Sequence, residues 1–278
     1  MSIRCENLSY VVSDKNAQRM LLAQIDSEFQ GGKIHVILGQ NGAGKSTLLK
    51  VLSREIEGFQ GNVLWNGKPL EQKSLQSLAI ERAVVEQKSS LAFDFTVCQF
   101  VSLGLEVQFS SELLDTYHRP VDFEQRLRQI LRTCDLLSFA ERSVLSLSGG
   151  EFQRVQIARA IAQIWPLEFD EQSTPDFSGR WLFLDEWNSG LDIAHQQCFA
   201  SLLRTWAEAG LGVIMVVHEL PLAMQLADEV MLLKNGEVFA QGRPDDVFTD
   251  SVLGEGLQMQ LQQLTTETGQ KVFLPKYI

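Results

Sequence analysis

The chain has 278 residues, 45% of them apolar and 21% charged, which is enough to bury one sizeable core and unlike the composition of a disordered chain. Acidic residues outnumber basic ones by 35 to 24, and the net charge of −11 disfavours wholesale binding to nucleic acid or to an anionic membrane surface, both of which need a cationic face. The four cysteines, Cys5, Cys98, Cys134 and Cys198, form no close pair, which argues against a zinc site or a disulfide framework and fits a reducing compartment.

The N-terminal stretch MSIRCENLSY lacks the basic start and apolar run of a secretory signal, and no stretch reaches the roughly 18 apolar residues that span a bilayer. A soluble, cytoplasmic protein is expected, with any membrane role supplied by a partner.

Residues 2–30 carry short alternating apolar runs, Ile3, Leu8 and Tyr10, then Leu21, Leu22 and Ile25, which predict antiparallel strands. Residues 34–38 are nearly all apolar and β-branched, as suits a strand buried on both faces. A glycine-rich turn follows, then a helix over about residues 45–53. Residues 61–67 predict a strand ending in a turn, and 83–86 a further strand. From about 96 to 139 the spacing turns helical, with Phe123, Leu127, Ile130, Leu131 and Cys134 on one face. This stretch reads as a helical lobe inserted between strands. A helix after Leu147 carries Phe152, Val155, Ala158 and Ile161. Residues 166–180, polar and acidic with two prolines, predict an exposed loop. Buried strands are predicted at 181–185, 213–217 and 229–233, the first two separated by a helix over about 193–209. That alternation argues for a parallel α/β sheet. Asn235-Gly236 is a hairpin-like turn, and the tail beyond Arg243 shows no clear pattern.

Gly39-Gln40-Asn41-Gly42-Ala43-Gly44-Lys45-Ser46 matches GxxxxGK[ST], with a buried strand before it and a helix after it in which Thr47 lies. Such glycines let successive backbone N–H groups point at phosphate oxygens, and the helix N-terminus adds a positive dipole end. Lys45 can reach the β- and γ-phosphates, and the Ser46 hydroxyl can ligate Mg²⁺. Asp185 ends the predicted strand at 181–185 and Glu186 lies one residue beyond, where ligands sit in open α/β sheets. Asp185 suits Mg²⁺, and Glu186 is placed to accept a proton from an attacking water. His218 and Gln87 also follow apolar runs. A histidine there can bond a γ-phosphate, and a glutamine amide can bind Mg²⁺ or water, although an isolated His or Gln is more often only satisfied locally.

Leu147-Ser148-Gly149-Gly150-Glu151 precedes a helix, with Ser148 a good N-cap. LSGGEFQRVQIARAI, together with the phosphate loop, LFLDE, SGLD and VVHE, resembles the ATP-binding cassette subunits of membrane transporters over about residues 2–250. The resemblance implies an α/β fold: a P-loop NTPase core with a mostly parallel sheet, an N-terminal antiparallel β subdomain and an inserted α-helical subdomain at about 88–150, followed by a tail at 251–278. It implies that residues 39–46 form the Walker A loop, with Thr47 also at the nucleotide, that Gln87 is the Q-loop glutamine, and that Asp185 and Glu186 end Walker B. Ser189-Gly190-Leu191-Asp192 resembles the D-loop, with Asp192 near nucleotide, and His218 the switch histidine. Residues 147–151, with Ser148, Gly149, Gly150 and Glu151, are the signature that meets the ATP of a second copy.

The implied activity is ATP hydrolysis with Mg²⁺. The implied partners are a second copy of the chain, two integral-membrane permease subunits and, indirectly, a substrate-binding protein, with no nucleic acid. The implied place is the cytoplasmic face of the cell membrane, as a peripheral subunit. NGAGKSTLLK, SSLAFDFTV and the His195-Gln196-Gln197 stretch resemble the ATPases of hemin importers, a group close to importers of siderophores and cobalamin. A soluble cassette ATPase of DNA repair or of the ribosome is the contrasting reading, against which stand the single cassette and the lack of a long heptad run. Phe93, Phe95 and Phe100 are candidates both for a membrane-partner dock and for the helical lobe's own core.

Four departures from the family pattern stand out. The adenine-stacking aromatic falls near Val12, where the nearest aromatic is Tyr10, and either can meet adenine. Trp187 and Asn188 replace the usual Pro and Thr or Ser. Gly190 replaces the usual Ala, which reads as a small change. The loop at 166–180 is long and reads as solvated surface.

Overall fold

The computed structural model describes residues 1–14, 17–86, 93–109, 121–166, 175–265 and 271–276. In chain order, β1 (Ser2–Asp14) and β2 (Ala17–Gln30) lead to β3 (Ile34–Gly39), α1 (Lys45–Leu52), β4 (Gln60–Trp65), β5 (Lys68–Pro69), α2 (Leu75–Glu81) and β6 (Arg82–Val85). Next come α3 (Val97–Glu106), α4 (Val121–Thr133), α5 (Gly149–Gln163), β7 (Trp181–Asp185), α6 (Ile193–Glu208), β8 (Gly212–Val216) and α7 (Leu220–Leu226). The chain closes with β9 (Glu229–Lys234), β10 (Glu237–Gly242), α8 (Pro244–Val247), α9 (Asp250–Leu257), β11 (Leu261–Thr265) and β12 (Lys271–Pro275). It divides into two compact units, Met1–Gln72 with Ile214–Ile278, and Lys73–Val213. Among the described residues, no helix is long and apolar enough to cross a membrane.

In the first unit the alternating apolar runs form an antiparallel pair, with Ser2 opposite Gln30 and Val12 opposite Arg19. β4 pairs antiparallel on the other edge of β1. The inward faces bury Ile3, Leu8, Leu22, Ile25, Val63 and Trp65 completely or nearly so. Each such side chain contributes roughly 1.5–3 kcal/mol on leaving water. β3 is buried along its whole length and pairs in parallel with β9, Val36 opposite Val230 through Gly39 opposite Leu233. β10 folds back antiparallel on β9 through the expected Asn235-Gly236 turn, in which both residues have positive φ. The described residues of the tail that showed no sequence pattern form helices and a strand pair. Phe248, after α8, meets Phe273 of β12 at 6.2 Å, and β11 pairs with β12, Leu261 opposite Pro275.

In the second unit β6 and β7 run parallel, Arg82 opposite Trp181 and Val85 opposite Leu184. The expected helical stretch is present as α3 and α4, and Leu127, Ile130, Leu131 and Cys134 are buried as their spacing requires. Helices α3 and α5 each begin with a capping box, Thr96 with Gln99 and Ser148 with Glu151.

The reading of 166–180 as solvated surface needs correction at both ends, residues 167–174 lying outside the described residues. Trp165 and Pro166 are buried, and Phe177 is fully buried. Phe177 packs edge-on against Trp165 at 5.6 Å and against Trp206 at 6.2 Å. Trp206 continues to Phe199 at 6.0 Å, and Phe199 to Trp187 at 4.8 Å. Trp187, the departure beside the predicted catalytic acid, is thus a core residue of this unit with no exposed surface. The phenylalanine candidates separate: Phe100 is buried, Phe95 half-buried, and Phe93 71% exposed. Helices α2 and α7 were not foreseen; both span only seven residues, too short for a clear period.

Candidate functional site

The phosphate loop lies in the first unit, between β3 and α1. No side chain caps α1, whose N-cap is Gly44, so its dipole end is open to an anionic ligand. The Lys45 side chain is buried, and its ammonium donates to the carbonyls of Gly39 and Gln40, both at 2.9 Å. The cation is therefore held inside the curl of the loop rather than in solvent. The turn between β9 and β10 buttresses the same loop. The Gly236 N–H donates to the Ala43 carbonyl at 3.1 Å, and the Ala23 N–H donates to the Gly236 carbonyl at 2.9 Å. The mouth at Asn41-Gly42 is exposed, and a methyl group built on Gly42 would meet only the Arg19 guanidinium, at 3.8 Å.

Arg19 was not singled out in the sequence. It sits opposite Val12, which is 39% exposed, whereas Tyr10 pairs with Leu22 and is half-buried. Ser46 and Thr47 open α1 and are half-buried. His218 lies beyond β8, the sheet neighbour of β3, and is exposed.

The predicted acids lie in the second unit. Asp185 ends β7 and is buried. Glu186 follows with φ 51°, in the left-handed region that a non-glycine residue rarely occupies. Such a conformation costs on the order of 1 kcal/mol and tends to persist at functional positions. The turn after it is tied by Ser189 N–H to the Glu186 carbonyl, 3.1 Å, and by the Gln196 side-chain amide to the carbonyls of Asn188 and Leu191, at 3.3 and 3.2 Å. Asp192, expected near nucleotide, serves as N-cap of α6. Its carboxylate accepts from the His195 N–H and meets His195 Nδ1, both at 2.8 Å, and these bonds hold its pKa below the ordinary carboxylate range. Gln87 lies outside the described residues, as do residues 88–92.

The signature residues open α5 in the same unit. The Glu151 N–H donates to Ser148 Oγ at 3.3 Å, and the Ser148 N–H donates to Glu151 Oε2 at 2.7 Å. The bonds to Ser148 keep the Glu151 carboxyl ionised to lower pH than usual, aided by Arg142, whose guanidinium lies 3.2 Å from Glu151 Oε1. The Ser148 hydroxyl oxygen thus accepts the bond that caps the helix.

Gly150 abuts Gly190. A Cβ on Gly150 would lie 2.8 Å from the Gly190 carbonyl, and Gly190 itself has φ +82°. The replacement of Ala by Gly at 190, expected to be minor, is therefore corrected: the backbone there is one that an L side chain adopts only with strain. Gly190→Ala should destabilise the chain by about 1 kcal/mol and lower ATP turnover, read by thermal unfolding and a phosphate-release assay. Wild-type values in both would show that the turn can relax.

The ABC transporter family model matches residues 22–168. The hemin import ATP-binding protein HmuV of Escherichia coli O157:H7 is 39% identical over 252 residues, covering 90% of both chains. Its counterpart from Hahella chejuensis is 37% identical over 251 residues, covering 90% of this chain and 92% of its own. Among solved structures, a protein assigned to the metal-chelate type ABC transporters, in an inward-facing conformation, aligns with TM-score 0.74 at 26% identity over 99% of this chain and 98% of its own. A dimeric ATP-binding cassette in a post-hydrolysis state with ADP and phosphate aligns with TM-score 0.72 at 21% identity, over 87% and 98%, a likeness of fold. The mixed α/β architecture expected from the sequence, with its antiparallel N-terminal sheet, mostly parallel main sheet and helical elements, is the one found.

Proposed function

From the premise that this chain belongs to the ABC transporter family as an ATP-hydrolysing subunit, we propose that it energises import of hemin, or of a related iron chelate, through a membrane permease. The observation that carries the substrate class is the likeness, over nine-tenths of the chain, to proteins named for hemin import. The metal-chelate type transporter among its structural neighbours supports the wider class, in which siderophore and cobalamin import are the alternatives.

ATP would lie on the phosphate loop, with the backbone of residues 39–46 and the Lys45 ammonium facing its phosphates. Tyr10 or Val12 would border the adenine. Ser46 and the buried Asp185 each carry an oxygen donor of the kind Mg²⁺ takes, so their chemistry suits that ion, and Gln87, the third expected donor, lies outside the described residues. Bound there, Mg²⁺ would neutralise charge on the phosphates. Glu186 would accept a proton from the attacking water, and His218 would donate a hydrogen bond to the γ-phosphate and orient that water. Lys45 offsets the charge that grows as the phosphoryl group leaves.

One chain holds half of the site under this reading. The Ser148 hydroxyl and the N–H groups of Gly149 and Gly150 of a second copy would close over the γ-phosphate, and two ATP molecules would be clasped at a two-fold interface. Hydrolysis would replace that bridge with two separating anions and open the interface. The assembly would sit on the cytoplasmic face of the membrane beside two permease subunits, fed indirectly by a substrate-binding protein. The exposed Phe93 is the part of the aromatic cluster left for docking. Co-purification with a membrane permease partner, followed by ATPase assays in liposomes, tests the proposal. Hemin with its binding protein should raise turnover several-fold, and stimulation by cobalamin or a siderophore alone would reassign the cargo.

A further inference from the structure

The loop that would hold phosphate is tied to the far end of the chain. The Gln40 side-chain amide donates to the main-chain carbonyl of Leu257 at 2.5 Å, across 217 residues of sequence. Leu257 is the last residue of α9, and the carbonyls of a helix's final turn have no partner within the helix. The Gln258 and Met259 N–H groups both turn back to the Gly254 carbonyl, so the helix's own cap leaves the Leu257 carbonyl to an outside donor. Gln40 supplies it from inside the phosphate loop, next to Gly39 and in the same segment whose carbonyls hold the Lys45 ammonium.

A second contact joins the same two parts. Gly256 of α9 lies so close to β9 that a Cβ there would fall 2.3 Å from the Leu232 side chain, and only glycine allows that approach unadjusted. Leu232 pairs with Leu38, and Leu233 with Gly39, at the end of β3 from which the loop springs. β11 follows α9 after three residues and pairs with β12. Helix end, hairpin and phosphate loop are therefore one packed body within the first unit.

We propose that Gln40 is a positioning residue that couples the C-terminal segment, α9 with the β11–β12 hairpin, to nucleotide affinity. The Gln40 bond fixes the first turn of the loop while the rest stays open to phosphate. By reciprocity, whatever the bond contributes to ATP binding, ATP contributes to holding the α9 end and the start of the hairpin. A ligand or partner that grips the hairpin would then tune ATP binding without touching the nucleotide. This rests on the loop being the nucleotide site.

The test compares the full chain with Gln40→Met, which keeps side-chain length and loses the donor. ATP affinity is measured by equilibrium dialysis without Mg²⁺, and amide exchange over residues 254–265 is followed with and without ATP. The wild type should show several-fold slower exchange in that segment when ATP binds. Gln40→Met should bind ATP about three- to tenfold more weakly, the range of one hydrogen bond, and should show no ATP-dependent change there. No change in the wild type, or the same change in both proteins, would overturn the coupling. Loss of all ATP binding in the wild type would instead refute the nucleotide site itself. Gly256→Ala, which presses α9 off β9 without altering the loop, should weaken ATP binding in the same direction, and unchanged affinity in a folded Gly256→Ala would also count against the proposal.

Discussion

Glu186→Gln should lower ATP turnover by at least a hundredfold while leaving ATP affinity within a few-fold of wild type. Glutamine has nearly the shape of glutamate and can take the same left-handed backbone at φ 51°, so the turn through Ser189 and Asn188 should survive. What it lacks is a carboxylate to accept a proton, and a positioned general base is worth roughly 10²–10⁴-fold. Trp187, the residue after Glu186, packs on Phe199 at 4.8 Å and limits how far the backbone can readjust. Phosphate release under saturating Mg-ATP measures the effect. A variant that keeps more than a tenth of normal turnover would remove Glu186 from the role of base.

Lys45→Ala should weaken ATP binding itself, by about a hundredfold or more. The ammonium is buried and already donates to two loop carbonyls, so alanine both removes the cation proposed to face the phosphates and leaves the Gly39 and Gln40 carbonyls short of a donor. Truncating one partner of a desolvated charge pair costs on the order of 2–5 kcal/mol, and each 1.4 kcal/mol is tenfold in affinity. The second loss falls on the apo protein as well, at roughly 1–3 kcal/mol of stability for a buried polar group left unmade. Titration calorimetry with ATP and thermal unfolding without it separate the two. Unchanged affinity in a folded variant would contradict the phosphate-loop assignment.

The parts of this molecule that could be read from sequence are those whose physics is local. β3 and β7 are short, nearly all-apolar runs, a pattern that suits strands buried on both faces. The signature's Ser148 and Glu151 follow capping-box spacing, so the cap at α5 was legible as a cap before its ligand was considered. The phosphate loop is a backbone device written in glycines.

What sequence could not supply is contact between distant segments. Neither the Gly236 N–H on the Ala43 carbonyl nor the Gln40 amide on the Leu257 carbonyl has a local pattern, since each pairs a side chain or turn with a backbone group far along the chain. Phe177 is the opposite kind of miss. Its phenyl ring carried a signal, but the polar, proline-containing composition of the stretch outweighed it, and the residue proves to be core between Trp165 and Trp206. Gly190 was discounted because Gly and Ala are close in size, whereas its φ of +82° is what separates them.

Two copies are proposed to clasp ATP, each completing the other's site. The mass of Glu186→Gln in solution, measured by light scattering with and without Mg-ATP, addresses this directly. The account expects the monomer mass to double when Mg-ATP is added, with two nucleotides retained per dimer, and to stay single when Ser148→Arg is combined with it. A Glu186→Gln chain that binds ATP yet keeps its monomer mass at high concentration, alone and beside its permease, would contradict it.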